Sequence, residues 1–300
     1  MFSVLIPVYN FNISVLVNAL HRQCEAVGIP YEIFCYDDAS ESKYDEVNKK
    51  ISSWNNVRYK RLEKNIGRSR IRNLMARESR FDNLLFLDCD SEVVSENYIS
   101  NYISCFNAGK VVCGGRVYDA ATPSDKKKIL HWKAGKKKEE IKAEMRNKKP
   151  YTSFMTNNFL ISKNIFLENS LDESLQGYGH EDTLFGFQLR RKNIPVVHID
   201  NPLKHIGLEN AEEFLVKTGS GISNLIHIWK EKKLQEGELS EISLMKAYFN
   251  LRQVFMAGLF LFFFRLFSNS IRKKLLSEKP SLFWFDVYKL GTFAQQASKR

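Results

Sequence analysis

The chain has 300 residues, 44% of them hydrophobic and 26% charged. That profile fits a folded globular protein able to bury one or two cores, and excludes a disordered or fibrous chain. The net charge of +11 is uneven: residues 125–149 carry +7 and residues 246–300 carry +8, which leaves −4 for the remainder. Basicity therefore belongs to two segments, for which nucleic acid and anionic lipid are both suitable partners.

The start, MFSVLIPVYN, has neither a basic n-region nor a long apolar h-region, and reads as a strand over 2–7 ended by Pro7 and Asn10. Residues 13–27 have helical periodicity with Gly28 as the stop. A second strand covers 31–36 and ends in Asp37 and Asp38, and a weaker third covers 56–62. Residues 67–79 are helical and basic. A strongly apolar fourth strand, 83–87, ends in Asp88 and Asp90; 95–108 is helical and 110–117 is again a strand. Residues 125–149 interrupt the pattern, either as a mobile flap carrying Trp132 or as a disordered basic loop, and 151–162 resumes a strand-like pattern. The five scattered cysteines (Cys24, Cys35, Cys89, Cys105, Cys113) lack zinc-ligand spacing and read as reduced core residues of a cytosolic protein.

Strands alternating with helices predict an α/β fold with a mostly parallel sheet. Ligands of such sheets bind beyond the carboxyl ends of the strands. Asn10, Asp37, Asp38, Asp88 and Asp90 then share one rim, where the carboxylates need a cation or positive side chains among them. The plainer alternative is that strands end in turn-forming Asp and Asn. No G-x-G-x-x-G follows the first strand and no G-x-x-x-x-G-K-[ST] occurs, which argues against dinucleotide dehydrogenases and P-loop enzymes.

Four short stretches carry chemistry. In LLFLDCDSEV, the spacing of Asp88 and Asp90 lets both address one hard cation. In NIGRSRIRN, Arg68 and Arg72 share a helix face and suit phosphate oxygens, whereas Arg70 reads as solvated. In HIDNPLKHIG, His198 lies in an apolar run and reads as a core residue, while His205 sits in a loop beside Gly207 and is the better ligand or base. In QGYGHEDTLFG, Glu181 and Asp182 follow a Gly-Tyr-Gly turn at the mouth of a helix, where they either cap the helix or do acid–base work.

The ordered set VLIPVYN, YDDAS, NIGRSRIRN, LDCD and GYGHEDTLFG spans about the first two-thirds of the chain and resembles family 2 glycosyltransferases of the GT-A fold. GYGHED together with KHIG is also similar to parts of chondroitin-type polymerases and polypeptide N-acetylgalactosaminyltransferases. The resemblance implies a Rossmann-like, mostly parallel sheet flanked by helices, with a helical C-terminal extension. It implies a catalytic domain over 1–215, with 1–120 binding the nucleotide sugar and 121–215 facing the acceptor, followed by a helical basic region over 216–300. The implied activity is metal-dependent, inverting transfer of a sugar from a nucleotide-diphosphate donor, UDP favoured, to a hydroxyl of a glycan or lipid-linked acceptor. The implied donor residues are Pro7, Tyr9, Asn10, Asp38, Arg68, Arg72 and Asp88, with Tyr9 and Asp38 on base and ribose. Asp90 and His205, with Asp88, would hold Mn²⁺ or Mg²⁺. Asp182 would be the general base, and Glu181 the residue that caps. Trp132, Asn158, Gly179 and His180 would lie on the acceptor side. Cys89 departs from the small residue usual within D-x-D and puts a soft thiol near the site.

Three alternatives stand beside this reading: a non-catalytic nucleotide-sugar-binding protein of the same fold, a nucleotidyltransferase, and a nucleic-acid binder, which no helix-turn-helix, zinc-finger or RNA-recognition signature supports. Residues 254–264 are uncharged and mostly apolar but shorter than the roughly 20 residues that span a bilayer. With Arg272, Lys273 and Lys274 beyond them, they read as an interfacial anchor on the cytoplasmic face of an anionic membrane, or as a helix that packs on the protein or a second copy.

Overall fold

In a computed structural model, which describes residues 1–298, the N-terminal apolar run becomes the middle of a sheet. The first elements are β1 (Phe2–Val8), α1 (Ser14–Val27), β2 (Tyr31–Asp37), α2 (Ser42–Asn48), β3 (Val57–Arg61), α3 (Arg68–Glu78) and β4 (Asn83–Leu87). Then come β5 (Ser91–Val93), α4 (Tyr98–Cys105), β6 (Val111–Cys113), β7 (Arg116–Val117), α5 (Ile129–Lys138), α6 (Ala143–Asn147), β8 (Asn158–Ser162), α7 (Lys163–Asn169) and α8 (Glu181–Arg191). The chain ends with β9 (Val196–His198), β10 (Leu203–His205), α9 (Ala211–Lys230), α10 (Glu236–Glu241), α11 (Ser243–Gln253), α12 (Ala257–Leu275) and α13 (Leu282–Ala297).

Seven strands form one sheet in the order β3-β2-β1-β4-β8-β6-β9. Every pairing in it is parallel except the two made by β8, which runs against β4 and β6. β1 and β4 are buried on both faces, which is why they read as continuous apolar runs and not as alternating ones. Leu16, Val17, Leu20 and Cys24 of α1 pack on one face of the sheet with Val4, Ile6 and Val8; Ile71 and Met75 of α3 pack on the other with Leu5, Phe34 and Phe86. A three-stranded sheet, β5-β10-β7, sits beside them.

Two compact units result: residues 1–119, 139–173 and 181–207 form the first, and residues 120–138, 174–180 and 208 onward form the second. The expected boundary at 215 falls inside α9 and is corrected: a continuous helix capped by Asn210 belongs to one unit, so the division comes before it. Among the described residues, the regular elements of the second unit are all helices. Its core joins Leu130 and Ala134 of α5, Leu215 of α9, Phe264, Ile271 and Leu275 of α12, and Phe285 of α13.

Two further expectations change. The strand expected over 110–117 breaks at Gly114 and Gly115, so β6 joins the large sheet and β7 the small one. A Cβ at Gly114 would lie 2.4 Å from the Asn201 carbonyl oxygen, and Gly115 adopts φ of 89°. The basic segment 125–149 is folded, not a disordered loop, and carries α5 and α6. Asp125 accepts the Lys127 N–H ahead of α5, and Arg146 of α6 is buried and donates to the carbonyls of Ile141, Cys113, Gly114 and Ile199. All five cysteines are free. Among the described residues no single helix is long and apolar enough to cross a membrane; α11 with α12, bent by 117°, passes that test only as a pair.

Candidate functional site

The carboxyl ends of β1, β2 and β4 gather most of the expected polar residues, but each is used in its own way. Tyr9, just past β1, is 54% exposed and free to offer its ring to a ligand. Pro7 is part of β1 opposite Tyr36. Asn10, at φ of 49°, accepts the Glu41 N–H on its side chain, while its own N–H donates to Ser40 Oγ. Asp38 is buried and accepts the N–H groups of Ile66 (2.6 Å) and Gly67 (2.9 Å). It therefore fixes the turn that opens α3; burial raises its pKa and the two N–H bonds oppose that rise. Asp37 is likewise structural, accepting from Ser40 N–H and Tyr59 Oη.

Asp88 corrects a further expectation. Its Oδ1 accepts from Arg72 at 2.5 Å, its Oδ2 from Arg116 at 3.1 Å, and Arg68 stands 3.9 Å from Oδ2. Arg72 is 2% exposed, so its charge is buried with its partner. Burial would raise the Asp88 pKa, but Arg72 and its neighbours hold the carboxyl below the usual range. With a guanidinium on each oxygen, Asp88 serves in this structure as the anchor of an arginine cluster.

Asp90 differs. Strand β5 begins one residue later and pairs antiparallel with β10, with His205 opposite Ser91. That register brings His205 Nδ1 to 3.5 Å from Asp90 Oδ1. Oδ1 is buried and accepts no hydrogen bond of normal geometry. Against the effect of burial, His205 and Arg116 hold the Asp90 carboxyl well below the ordinary range. Among the described residues no three His, Cys, Asp or Glu are placed to hold an ion by themselves. A buried anionic oxygen beside an imidazole still fits Mn²⁺ or Mg²⁺, which take one or two carboxylates and complete their shells with phosphate oxygens and water. Gly207 closes the back of this pair: a Cβ there would lie 2.6 Å from Asp90 Oδ2.

Glu181 and Asp182 open α8. Glu181, expected at this helix mouth, is also an ion-pair partner: its Oε1 accepts from Arg68 Nε at 2.7 Å. Asp182 accepts the Thr183 N–H at 2.6 Å. Desolvation, reinforced by the neighbouring Glu181 charge, raises the Asp182 pKa to about 7. Gly177 and Gly179 have positive φ of 71° and 97° because α9 comes close: a Cβ at Gly177 would meet Ser220 Oγ at 2.5 Å, and Asn224 Nδ2 donates to the Gly179 carbonyl. Gly179, His180 and Trp132 all belong to the second unit.

Asn158 is removed from the acceptor side. It is 1% exposed and saturated: Tyr98 Oη and Tyr102 Oη donate to its Oδ1, and its Nδ2 donates to the carbonyls of Gly115 and Asn201. Cys89 stays a thiol, since burial pushes its pKa up to about 12. His198 is a core residue, as expected, bonded to Arg146 and the Pro150 carbonyl. Arg70 pairs with Glu173 on an exposed face.

Sequence reasoning missed Arg116, Tyr118 and Glu139. Arg116 bridges Asp88 and Glu139 at 3.1 Å to each, Tyr118 Oη donates to Glu139 at 2.6 Å, and the Tyr118 ring lies edge-on to His205 at 5.4 Å. The one available signal was a lone arginine after Gly114 and Gly115, beyond an apolar strand at the same sheet edge as Asp88. A polar chain thus runs from Glu181 through Arg68, Asp88, Arg116, Glu139 and Tyr118 to His205 and Asp90, all within the first unit.

The glycosyl transferase family 2 model matches residues 3–167, more than half of the chain. The chain belongs to glycosyl transferase family 2. The fold of this family 2 glycosyltransferase is similar to that of S. aureus TarS 1-349 in complex with UDP-GlcNAc, at 17% identity over 100% of this chain and 93% of that one, with a TM-score of 0.54. It is also similar to the mannosyltransferase PcManGT from Pyrobaculum calidifontis in complex with GDP-Man and Mn²⁺, at 11% identity over 99% and 85%, with a TM-score of 0.59. The chain spans 39% of a longer S. aureus TarS chain. No curated protein matches the sequence. At such identities the structural likeness is one of fold, and the fold is GT-A.

Proposed function

We propose that this family 2 glycosyltransferase moves a sugar from a nucleoside diphosphate donor, UDP favoured, to a hydroxyl of a glycan or lipid-linked acceptor by a single inverting displacement. The observation that carries the reading is the pairing of Asp90 Oδ1, buried without a hydrogen-bond partner, with His205, linked through arginines to the Glu181–Asp182 pair. The TarS and PcManGT structures hold UDP-GlcNAc and GDP-Man, which supports a nucleotide-sugar donor.

Asp90 and His205 would hold Mn²⁺ or Mg²⁺, which when bound offsets charge on the departing diphosphate. Arg68 sets its guanidinium beside Asp88 and Glu181 and is one-third exposed, so it can turn to pyrophosphate oxygens. The exposed Tyr9 ring offers a face for the nucleotide base. Asp182 takes the proton of the attacking hydroxyl: a carboxylate with pKa of about 7 is ionised in a useful fraction at neutral pH and is far more basic than an ordinary one. Glu181 holds Arg68 in place and keeps Asp182 basic through its charge.

The test is calorimetric titration with UDP, with and without Mn²⁺, of the intact chain and of Asp90→Ala. Mn²⁺ is expected to tighten UDP binding in the first and to make no difference in the second. Equal affinity of the intact chain with and without the ion would overturn the reading.

A further inference from the structure

Helix α12 has two unlike faces. Phe264, Ile271 and Leu275 are buried in the core of the second unit. On the opposite face Leu259, Phe262, Phe263 and Leu266, spaced i, i+3, i+4, i+7, are each about half exposed or more. The turn before it adds Phe255, 95% exposed, and the first turn of α13 adds Phe283 and Trp284. Scattered apolar side chains on a surface need no explanation, but one helix face and its flanks made of phenylalanine do. A groove of about 350 Å³ runs between α12 and α13, lined by Phe260, Phe263, Phe267 and Trp284 with Lys274 among them.

Charge selects the occupant. Arg252, Arg265, Lys273, Lys274 and Lys279 are exposed around this face. Residues 246–300 hold only two acids, Glu278 and Asp286, and Asp286 is already paired with Lys138 and Lys289. A second copy of the chain would set these cations against their own counterparts, which like-charge repulsion opposes. An anionic lipid surface complements them, and its acyl region takes the phenylalanines. Among the described residues no single helix is both long and apolar enough to span, so the geometry that fits is a helix lying in the interface. We propose that the outer face of α12, with the turn before it and the start of α13, docks the protein on an anionic bilayer.

The experiment is flotation of the intact chain with vesicles of pure phosphatidylcholine and with vesicles containing about one-third phosphatidylglycerol, at low and high salt. Binding is expected to the anionic vesicles only, and to fall with salt. Lys273→Gln with Lys274→Gln should weaken it about thirtyfold, at roughly fivefold per charge near the surface. Phe255→Ser with Phe262→Ser should abolish it, with the melting curve retained because both side chains are exposed. If those variants fold poorly, quenching of Trp284 fluorescence by brominated lipid in the intact chain, and its absence in Trp284→Phe, gives the same answer. Equal binding to both vesicle types, no binding to either, or a phenylalanine variant that turns a dimer into a monomer while vesicle binding persists would each overturn the proposal. Calorimetric UDP binding is independent of all these readouts.

Discussion

His205 faces Ser91 across the β5–β10 pair, and that register alone sets its Nδ1 3.5 Å from Asp90 Oδ1. Gly207, two residues on, leaves room for the Asp90 carboxylate where any other residue would put a Cβ at 2.6 Å from Oδ2. Gly207→Ala is therefore expected to push Asp90 off His205. The Mn²⁺-dependent gain in UDP affinity should fall at least tenfold by titration calorimetry, and the fold should lose about 1–3 kcal/mol in urea denaturation. An unchanged metal effect would show that the carboxylate does not need that position.

Transfer should depend on Asp182 in its ionised form. Because its pKa is raised to about 7, the rate is expected to climb as pH rises through 7 and to level off above 8. Asp182→Asn should lose about 10²- to 10⁴-fold in transfer rate and flatten that limb, with UDP affinity nearly unchanged.

Glu181 offers a sharper check, since its charge is one cause of the Asp182 shift. Glu181→Gln should move the midpoint of the pH–rate curve to lower pH. The same variant releases Arg68 from its 2.7 Å contact, so donor KM should change as well. A midpoint that stays near 7 would remove Glu181 as a cause.

Asn158 is expected to matter for folding and not for the acceptor. Asn158→Ala strips partners from two tyrosine hydroxyls and two carbonyls, all buried. At roughly 1 kcal/mol per lost bond, the loss should be about 2–4 kcal/mol in urea denaturation. Acceptor KM of the folded fraction should not move.

His198 predicts a pH dependence of stability. Burial, with Arg146 beside it, lowers its pKa to about 4 while the Pro150 carbonyl pulls the other way. The folded state therefore favours the neutral ring relative to the unfolded chain, where the pKa is about 6.5. The stability due to this preference is complete above pH 6.5 and is lost as pH falls toward 4, by about 3 kcal/mol. Urea midpoints between pH 7 and 4 should drop less in His198→Gln than in the parent.

Much of the fold was legible because local chemistry decides it. Mostly apolar runs at 2–7, 31–36 and 83–87 are suited to largely buried strands, and Gly28 stops the first helix by taking φ of 70°. The order of strands and helices implied a mostly parallel α/β sheet, the ordered motifs from VLIPVYN to GYGHEDTLFG carried the resemblance to family 2, and the carboxylates beyond those strands marked the rim. What side chains on that rim do was not local. Asp88 and Asp90 are one residue apart, yet Arg72 and Arg116 claim the first and leave Oδ1 of the second for His205, more than a hundred residues away. Asn158, placed on the acceptor side by resemblance alone, is the first residue of β8 and lies under Tyr98 and Tyr102. Glu181 and Asp182 are adjacent and chemically alike. The position of Arg68 makes one an ion-pair partner, while burial, with the charge of that neighbour, raises the pKa of the other to about 7. Sequence determines which groups can ionise and which runs must be buried; tertiary structure alone sets the distances and the burial that decide how each carboxylate is used, because Coulomb and desolvation energies depend on both.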